Sequence, residues 1–249
     1  MIRGWMSRYS EIVKEFGFSI KQDHESAILL NSIINKPIGI KSIRKIIENE
    51  TVFVIGSGPS LSESIAVLKK YPDTPKIIAD SALWIILREK IRPDIVMTDL
   101  DGNEDSLRHA GKTDSIIVVH AHGDNISKLH LAEAFGNCLG TTQGRPFGKL
   151  YNFGGFTDGD RAVFIADSLG AKKIVLFGMD LKGKIGDASR TKMSEKKLKL
   201  KKLKKAKMLL QWLASKSSCE LYTTSGHIAG FKTIRYGDLS KITNTQNVF

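Results

Sequence analysis

Cysteine is nearly absent. The chain of 249 residues holds two, Cys138 and Cys219, with no Cys-x-x-Cys spacing, which argues against a zinc ribbon or a disulfide framework and leaves buried thiols as the expectation. Long apolar runs are missing too. The longest, 82–87, and others such as 116–119 fall far short of the roughly 20 residues a bilayer-spanning helix needs. Residues 1–16 carry Arg3, Arg8, Glu11, Lys14 and Glu15, so no signal-peptide core forms there. A cytoplasmic protein with no membrane partner is expected.

Acidic residues are in deficit, 26 against 38 Lys and Arg, for a net charge of +12. The surplus is local: residues 192–207 hold nine lysines and one acid, Glu195, and supply eight of those twelve charges. Leu200, Leu203, Ala206, Leu210 and Leu213 form an apolar stripe through this stretch, so it reads as a helix with a solvated lysine face. A non-enzymatic nucleic-acid-binding protein using that helix is a rival reading, disfavoured because the rest of the chain is only mildly basic.

What is present is 41% hydrophobic residues, enough for one large domain or a domain with appendages. In residues 1–50, Trp5, Tyr9, Ile12 and Phe16, then Ile40, Ile43 and Ile47, recur at helical spacing and predict a helical cap. From 51 to 215 short apolar strands (52–55, 76–79, 94–98, 115–119, 150–153, 173–177) alternate with helical stretches (61–70, 82–90, 103–110, 160–169). That alternation predicts an α/β fold with a mainly parallel, Rossmann-like sheet flanked by helices, and a lysine-rich helix towards its end. Residues 216–249 read as a closing strand and a polar tail.

Parallel sheets bind ligands beyond the carboxyl ends of their strands, and here every predicted strand runs into polar residues. Asp99-Leu-Asp101-Gly follows the third. If that end stays extended, the two carboxylates share a face with α-carbons on the order of 7 Å apart, as a hydrated Mg²⁺ beside substrate phosphates requires; a polar turn, in which Asp-Gly is common, is the alternative. Gly56-Ser57-Gly58-Pro59-Ser60 follows the first strand and opens a helix, as an anion-binding turn would. It lacks the third glycine of a dinucleotide fingerprint, and no Walker motif occurs. Asp80 ends the second strand, where a nicotinamide enzyme places its ribose-binding acid. A nicotinamide enzyme, however, gives Asp99, Asp101 and Asp124 no task. His120-Ala-His122-Gly-Asp124-Asn125 and Gly154-Gly155-Phe156-Thr157-Asp158-Gly-Asp160-Arg161 complete the rim, the first favouring substrate contact by His122 and Asp124, the second an anion-binding turn or a helix cap by Asp158 or Asp160. Residues 183–190 read as a loop able to close over phosphates, with Lys182, Lys184 and Arg190 to stabilise transferred charge.

Together with Ala79-Asp-Ser-Ala, Arg92-Pro-Asp and Gly178-Met-Asp-Leu, these motifs in this order resemble the archaeal 6-hydroxymethyl-7,8-dihydropterin pyrophosphokinase family over residues 50–215, whose catalytic domain is similar to that of thiamin pyrophosphokinase. The resemblance implies Mg²⁺-dependent transfer of diphosphate from ATP to a hydroxymethylpterin, releasing AMP, in folate-like or methanopterin-like cofactor biosynthesis. On that reading Asp99 and Asp101, with Asp80, hold the metal, and Gly56 to Ser60 with Asp80 hold the nucleotide. Lys182 and Arg190 join Asp99 and Asp101 in catalysis, while His122, Asp124, Asn125 and Gly154 to Asp158 face the pterin. A related domain occurs in flagellin-modifying glycosyltransferases, which keeps a nucleotide-sugar reaction open. Nothing in the sequence sets the oligomeric state, and a homo-oligomer stays open as well.

Overall fold

The computed structural model describes residues 1–181 and 196–243. Three helices come first: α1 (Trp5–Phe16), α2 (Ile20–Ile33) and α3 (Ile40–Ile47). Strands and helices then alternate through β1 (Thr51–Ile55), α4 (Leu61–Leu68), β2 (Lys76–Ala79), α5 (Asp80–Arg88), β3 (Ile95–Thr98), α6 (Glu104–Ala110) and β4 (Ile116–Ala121). A 3-10 segment (Gly123–Ala134) leads to β5 (Cys138–Thr142), β6 (Leu150–Tyr151), α7 (Asp158–Ser168) and β7 (Lys173–Phe177). After α8 (Lys196–Ala214) come β8 (Glu220–Thr223), β9 (Lys232–Thr233) and a closing 3-10 turn (Tyr236–Lys241).

The strands form one sheet in the order β6-β5-β4-β3-β2-β1-β7-β8-β9, every pair parallel. Parallel sheets survive only when both faces are covered, which explains strands such as Thr-Val-Phe-Val-Ile that are buried throughout. The period of two sorts them. Val52, Val54, Ile77, Ile95, Met97 and Val118 look towards α1, α3, α7 and α8, whereas Phe53, Ile55, Ile78, Val96, Ile117 and Val119 look towards α2, α4, α5 and α6. The N-terminal helices thus straddle the sheet: α1 and α3 pack on one face and α2 on the other.

Local signals set the helix starts. Ser19 accepts a bond from the Gln22 N–H at the head of α2, and Asn103 does the same for Ser106 at α6. Thr157 caps α7 in a capping box with Asp160, so of the two acids Asp160 does the capping work and Asp158 faces elsewhere. The lysine helix α8 turns Ala206, Leu209, Leu210 and Leu213 into the core and lays its stripe against α7. None of the described helices is long and apolar enough to cross a membrane. Cys138 is buried on β5 and Cys219 is partly buried; neither is bonded to the other.

The order reverses at β1, with β2 on one side and β7 on the other. This is the topological switch point at which such sheets open a crevice. Across it the β1 loop packs tightly on the β7 loop: the Gly58 N–H donates to the Gly178 carbonyl at 2.7 Å, and a Cβ on Gly58 would sit 2.2 Å from Asp180 Oδ2.

Trp5 ties the first helix to this edge. It is fully buried, lies edge-on to Phe164 and donates its indole N–H to the Gln143 carbonyl at 2.9 Å. Trp5→Ala is expected to cost about 3–5 kcal/mol and to lower the midpoint of thermal unfolding, followed by circular dichroism, by about 6–20 °C.

Candidate active site

The carboxyl ends of β2 and β3 and the start of α7 bring four carboxylates together. Asp80, Asp99, Asp101 and Asp158 each offer an oxygen within 4.8 Å of the others. Asp80 is the first residue of α5, which begins directly off β2 without a loop. Its Oδ2 accepts bonds from the Thr98 hydroxyl and, at 3.1 Å, from the Gly102 N–H. Gly102 is required there, since a Cβ at that position would meet Asp80 Oδ1 at 1.9 Å.

The Asp99–Asp101 pair forms by a different route from the extended strand end expected. Strand β3 stops at Thr98, and Leu100 takes a left-handed backbone, φ 68°. Its N–H is held by the Thr98 hydroxyl at 2.7 Å and its side chain is buried. The turn, rather than strand periodicity, swings both carboxylates to one side. A left-handed leucine costs of order 1 kcal/mol or more and persists only where its surroundings hold it.

Four carboxylates this close repel. Burial, then the charges of Asp99 and Asp101, pushes the Asp80 carboxyl up to about 7 in spite of its bonds to Thr98 and Gly102. Asp101 is raised to about 6, chiefly by the Asp99 charge and then by burial. Burial would raise Asp99 too, but the hydrogen bond and charge of His122, with Arg161 behind them, hold it below the usual carboxylate range. Asp158 lies well above that range, through burial first and the Asp99 charge second, against the pull of Arg161. Asp80 Oδ1 and Asp99 Oδ1 are buried with no hydrogen-bond partner among the described residues. Clustered hard oxygen donors with unsatisfied lone pairs fit a divalent cation such as Mg²⁺.

An open cleft adjoins the cluster and shares Asp99 with it. Phe18, Ser19, Gln22 and Asp23 from the α1–α2 turn form one wall. His122, Gly123, Asp124, Gln143, Phe156, Arg161 and Lys202 complete it. His122 bridges the two regions, with Nε2 3.4 Å from Asp99 Oδ2. Asp124 stands at the rim, its side chain 62% exposed. The rings of Phe18 and Phe156 are 6.1 Å apart, and Lys202 Nζ lies 5.8 Å from the centre of Phe18.

Other expected residues have different work. Asn125, expected against substrate, is buried with its amide fully engaged: it donates to the carbonyls of Asp99 and His120, both at 2.7 Å, and accepts from the His122 N–H at 3.0 Å. It clamps the Asp99 turn to the end of β4. His120 is buried with its ring centre 6.1 Å from that of His122, its ring nitrogens meet Thr141 Oγ1 and Gln143 Oε1, and burial above all drives its pKa well down. Thr157 caps α7. Gly154 and Gly155 have φ near 97° and 92°, and a Cβ on Gly155 would press on the Arg161 backbone at 2.6 Å.

At the β1 loop the amino end of α4 is already met by a carboxylate, because Asp180 Oδ2 accepts from the Ser60 N–H at 3.0 Å and its hydroxyl at 2.8 Å. Gly56 packs on Met179, and Pro59 is exposed. From this loop Ser57 reaches Ser81 of α5, the residue after Asp80, and their hydroxyls are 2.7 Å apart. Lys182 and Arg190 lie outside the described residues. Basic charge reaches the cluster from another direction, since Lys199 and Lys202 of α8 act on Asp101.

Sequence reasoning did not pick out Asp23, Gln143, Lys199 or Lys202, and it gave Asp158 to substrate rather than to the cluster. Asp158 and Arg161 stand three apart at the head of α7, and their ion pair at 3.3 Å was a readable signal. Asp23 offered none.

The family described as 6-hydroxymethylpterin diphosphokinase MptE-like matches residues 28–186. The chain is 44% identical over 225 residues to the 6-hydroxymethyl-7,8-dihydropterin pyrophosphokinase of Pyrococcus furiosus, covering 87% of this chain and 96% of that one. It is 39% identical to the protein of the same name from Methanocaldococcus jannaschii, covering 88% and 98%. Among solved structures the MAf glycosyltransferase from Magnetospirillum magneticum AMB-1 superposes with a TM-score of 0.58 at 14% identity, over 93% of this chain. The match takes in 41% of the glycosyltransferase chain, a likeness of fold. On the sequence matches, this chain belongs to the MptE-like family of 6-hydroxymethylpterin diphosphokinases.

Proposed function

We propose that the protein transfers the terminal diphosphoryl group of ATP to the hydroxymethyl oxygen of 6-hydroxymethyl-7,8-dihydropterin, releasing AMP, in the biosynthesis of a folate- or methanopterin-type carrier. The observation that carries this reading is the four-carboxylate cluster opening through Asp99 into the cleft; family membership supplies the substrate class. The acceptor oxygen attacks the β-phosphorus, the bond from that phosphorus to the oxygen bridging to the α-phosphorus breaks, and AMP departs with that oxygen. The acceptor's proton passes to a carboxylate of the cluster. Little bond-making help is needed in such transfers, so position and charge neutralisation dominate.

Asp80, Asp99, Asp101 and Asp158 would hold Mg²⁺. When bound, it offsets the phosphate charge and aligns the polyphosphate. Ser57 and Ser81, beside Asp80, face the nucleotide, with Gly56, Gly58, Pro59 and Ser60 shaping that loop. His122 steadies Asp99, and Asn125 steadies the turn that carries it. Gly154 and Gly155 let α7 come close, Phe156 offers an apolar face to the pterin, and Asp124 guards the rim. Lys199 and Lys202, joined by Lys182 and Arg190, compensate the transferred charge.

The metal-free fold should lose stability as pH rises. Asp80 and Asp101 titrate near 7 and 6 in the folded chain and near 4 when unfolded. Between about pH 4 and 7 the folded state therefore holds protons that the unfolded state has released, and its stability declines through that window. The low pKa of Asp99 acts below it. Millimolar Mg²⁺ is expected to raise the thermal midpoint at pH 8 and to leave it unchanged at pH 5. Asp80→Asn should raise the metal-free midpoint at pH 8 by about 4–8 °C, for about 2 kcal/mol of relieved charge burial and repulsion, and blunt the response to Mg²⁺.

With ATP, Mg²⁺ and the hydroxymethyldihydropterin, chromatography should show AMP formed only when the acceptor is present. Asp101→Asn is expected to lower kcat about 10³-fold; full activity in that variant would remove the carboxylate cluster from the mechanism. ADP in place of AMP, or turnover of a nucleotide sugar instead, would replace the reading altogether.

A further inference from the structure

Residues 1–27 lie outside the stretch that matches the family, yet the α1–α2 turn and the first turns of α2 build a wall of the cleft. This wall is rigid. Tyr9 is buried and donates its hydroxyl to Asp23 Oδ2 at 2.6 Å. The Gly123 N–H donates to Asp23 Oδ1 at 2.8 Å, and Ser26 donates to the His122 carbonyl at 2.8 Å. The turn after β4 is thereby stapled to α2. A Cβ on Gly123 would approach the Gln22 Cβ to 2.8 Å, so the two elements meet with nothing between them.

Asp23 is 6% exposed. A carboxylate offers about four acceptor directions, and the described residues use one on each oxygen, which leaves one on each among them. Among the described residues three carboxylates line the cleft. Asp99 belongs to the cluster and Asp124 swings at the rim, so Asp23 is the one that is buried, held at both oxygens and independent of the metal. The acceptor's chemistry matches it. A pterin carries two adjacent N–H donors on its pyrimidine edge, at N3 and the 2-amino group, and its hydroxymethyl group at the far end of the ring system. A fixed carboxylate accepts such a pair side by side, as it does from a guanidinium.

Resting on the functional reading above, we infer that Asp23 is the specificity-determining residue for the acceptor: it receives the 2-amino and N3 hydrogens, and the N-terminal helical hairpin is the element that selects the heterocycle. Phe18 and Phe156 face its plane. The hydroxymethyl group is thereby aimed towards Asp99.

Steady-state kinetics of the full chain test this with two acceptors, the hydroxymethyldihydropterin and its analogue bearing hydrogen in place of the 2-amino group. Asp23→Asn should raise KM for the pterin about 30-fold, leave KM for ATP within about threefold, and erase the preference of the wild type for the amino-bearing acceptor. Tyr9→Phe keeps the carboxylate and removes one support; it should lower the thermal midpoint while retaining the preference, which separates recognition from folding. Pterin binding without ATP, followed by its fluorescence, should weaken in parallel in Asp23→Asn. If the wild type makes AMP and Asp23→Asn matches its KM and its preference, the inference is overturned and the functional reading stands. A wild type that neither binds the pterin nor makes AMP overturns both.

Discussion

Mutual repulsion among four carboxylates is the constraint on which the active edge depends. Left in water, Asp80, Asp99, Asp101 and Asp158 would spread apart; here their oxygens are held within 4.8 Å. Each is fixed by backbone geometry that a flexible loop could not supply. Asp80 stands on the first turn of a helix springing straight from β2, Asp158 begins a helix behind two left-handed glycines, and Asp99 and Asp101 flank a left-handed leucine. The sheet concentrates these devices by bringing every carboxyl strand end to one edge. The unsatisfied oxygens and raised pKa values follow from that enforcement, and so does an affinity for a divalent ion.

Around this strained centre lies a buried polar lattice. The Arg161 guanidinium donates to Asp158 and to Gln143 Oε1. Gln143 also meets His120, and its carbonyl receives the Trp5 indole and the Asn152 amide. The first helix is thus connected to the carboxylate of Asp158 through hydrogen bonds alone. Half-satisfied networks are costly and complete ones rigidify. In this one the exception is Arg161 Nε, buried without a partner among the described residues.

The fold was largely legible because a parallel sheet writes its strands as plain apolar runs. Lys76–Ala79 and Lys173–Phe177 matched the sequence reading to the residue, and β1 began one residue earlier. Cys138–Thr142 was missed: Cys-Leu-Gly-Thr-Thr has little β-branched apolar character, and its glycine answers to packing, since a Cβ on Gly140 would strike Leu150 at 2.4 Å. At the site, the strand-end motifs marked the correct edge but not the division of labour. A motif records which residues are near in sequence, whereas Asp23 meets Gly123 across 100 residues and Lys202 meets Phe18 across 184. Ser60 looked free to bind an anion because its partner, Asp180, is 120 residues away.

The place of β1 in the middle of the sheet bears on how the chain is made. One flank pairs with β2, about 20 residues on, but the other waits for β7, and α1 waits longer still for α7 and α8. During synthesis the first helix, with Trp5, Tyr9 and Ile12, leaves the ribosome long before the surface that buries it exists. Closing such distant pairs is slow, and apolar surface exposed in the interval invites association. This early helix is therefore secured late, and the cleft wall next to it, though stapled to the turn after β4, gains its backing only once α7 and α8 are in place.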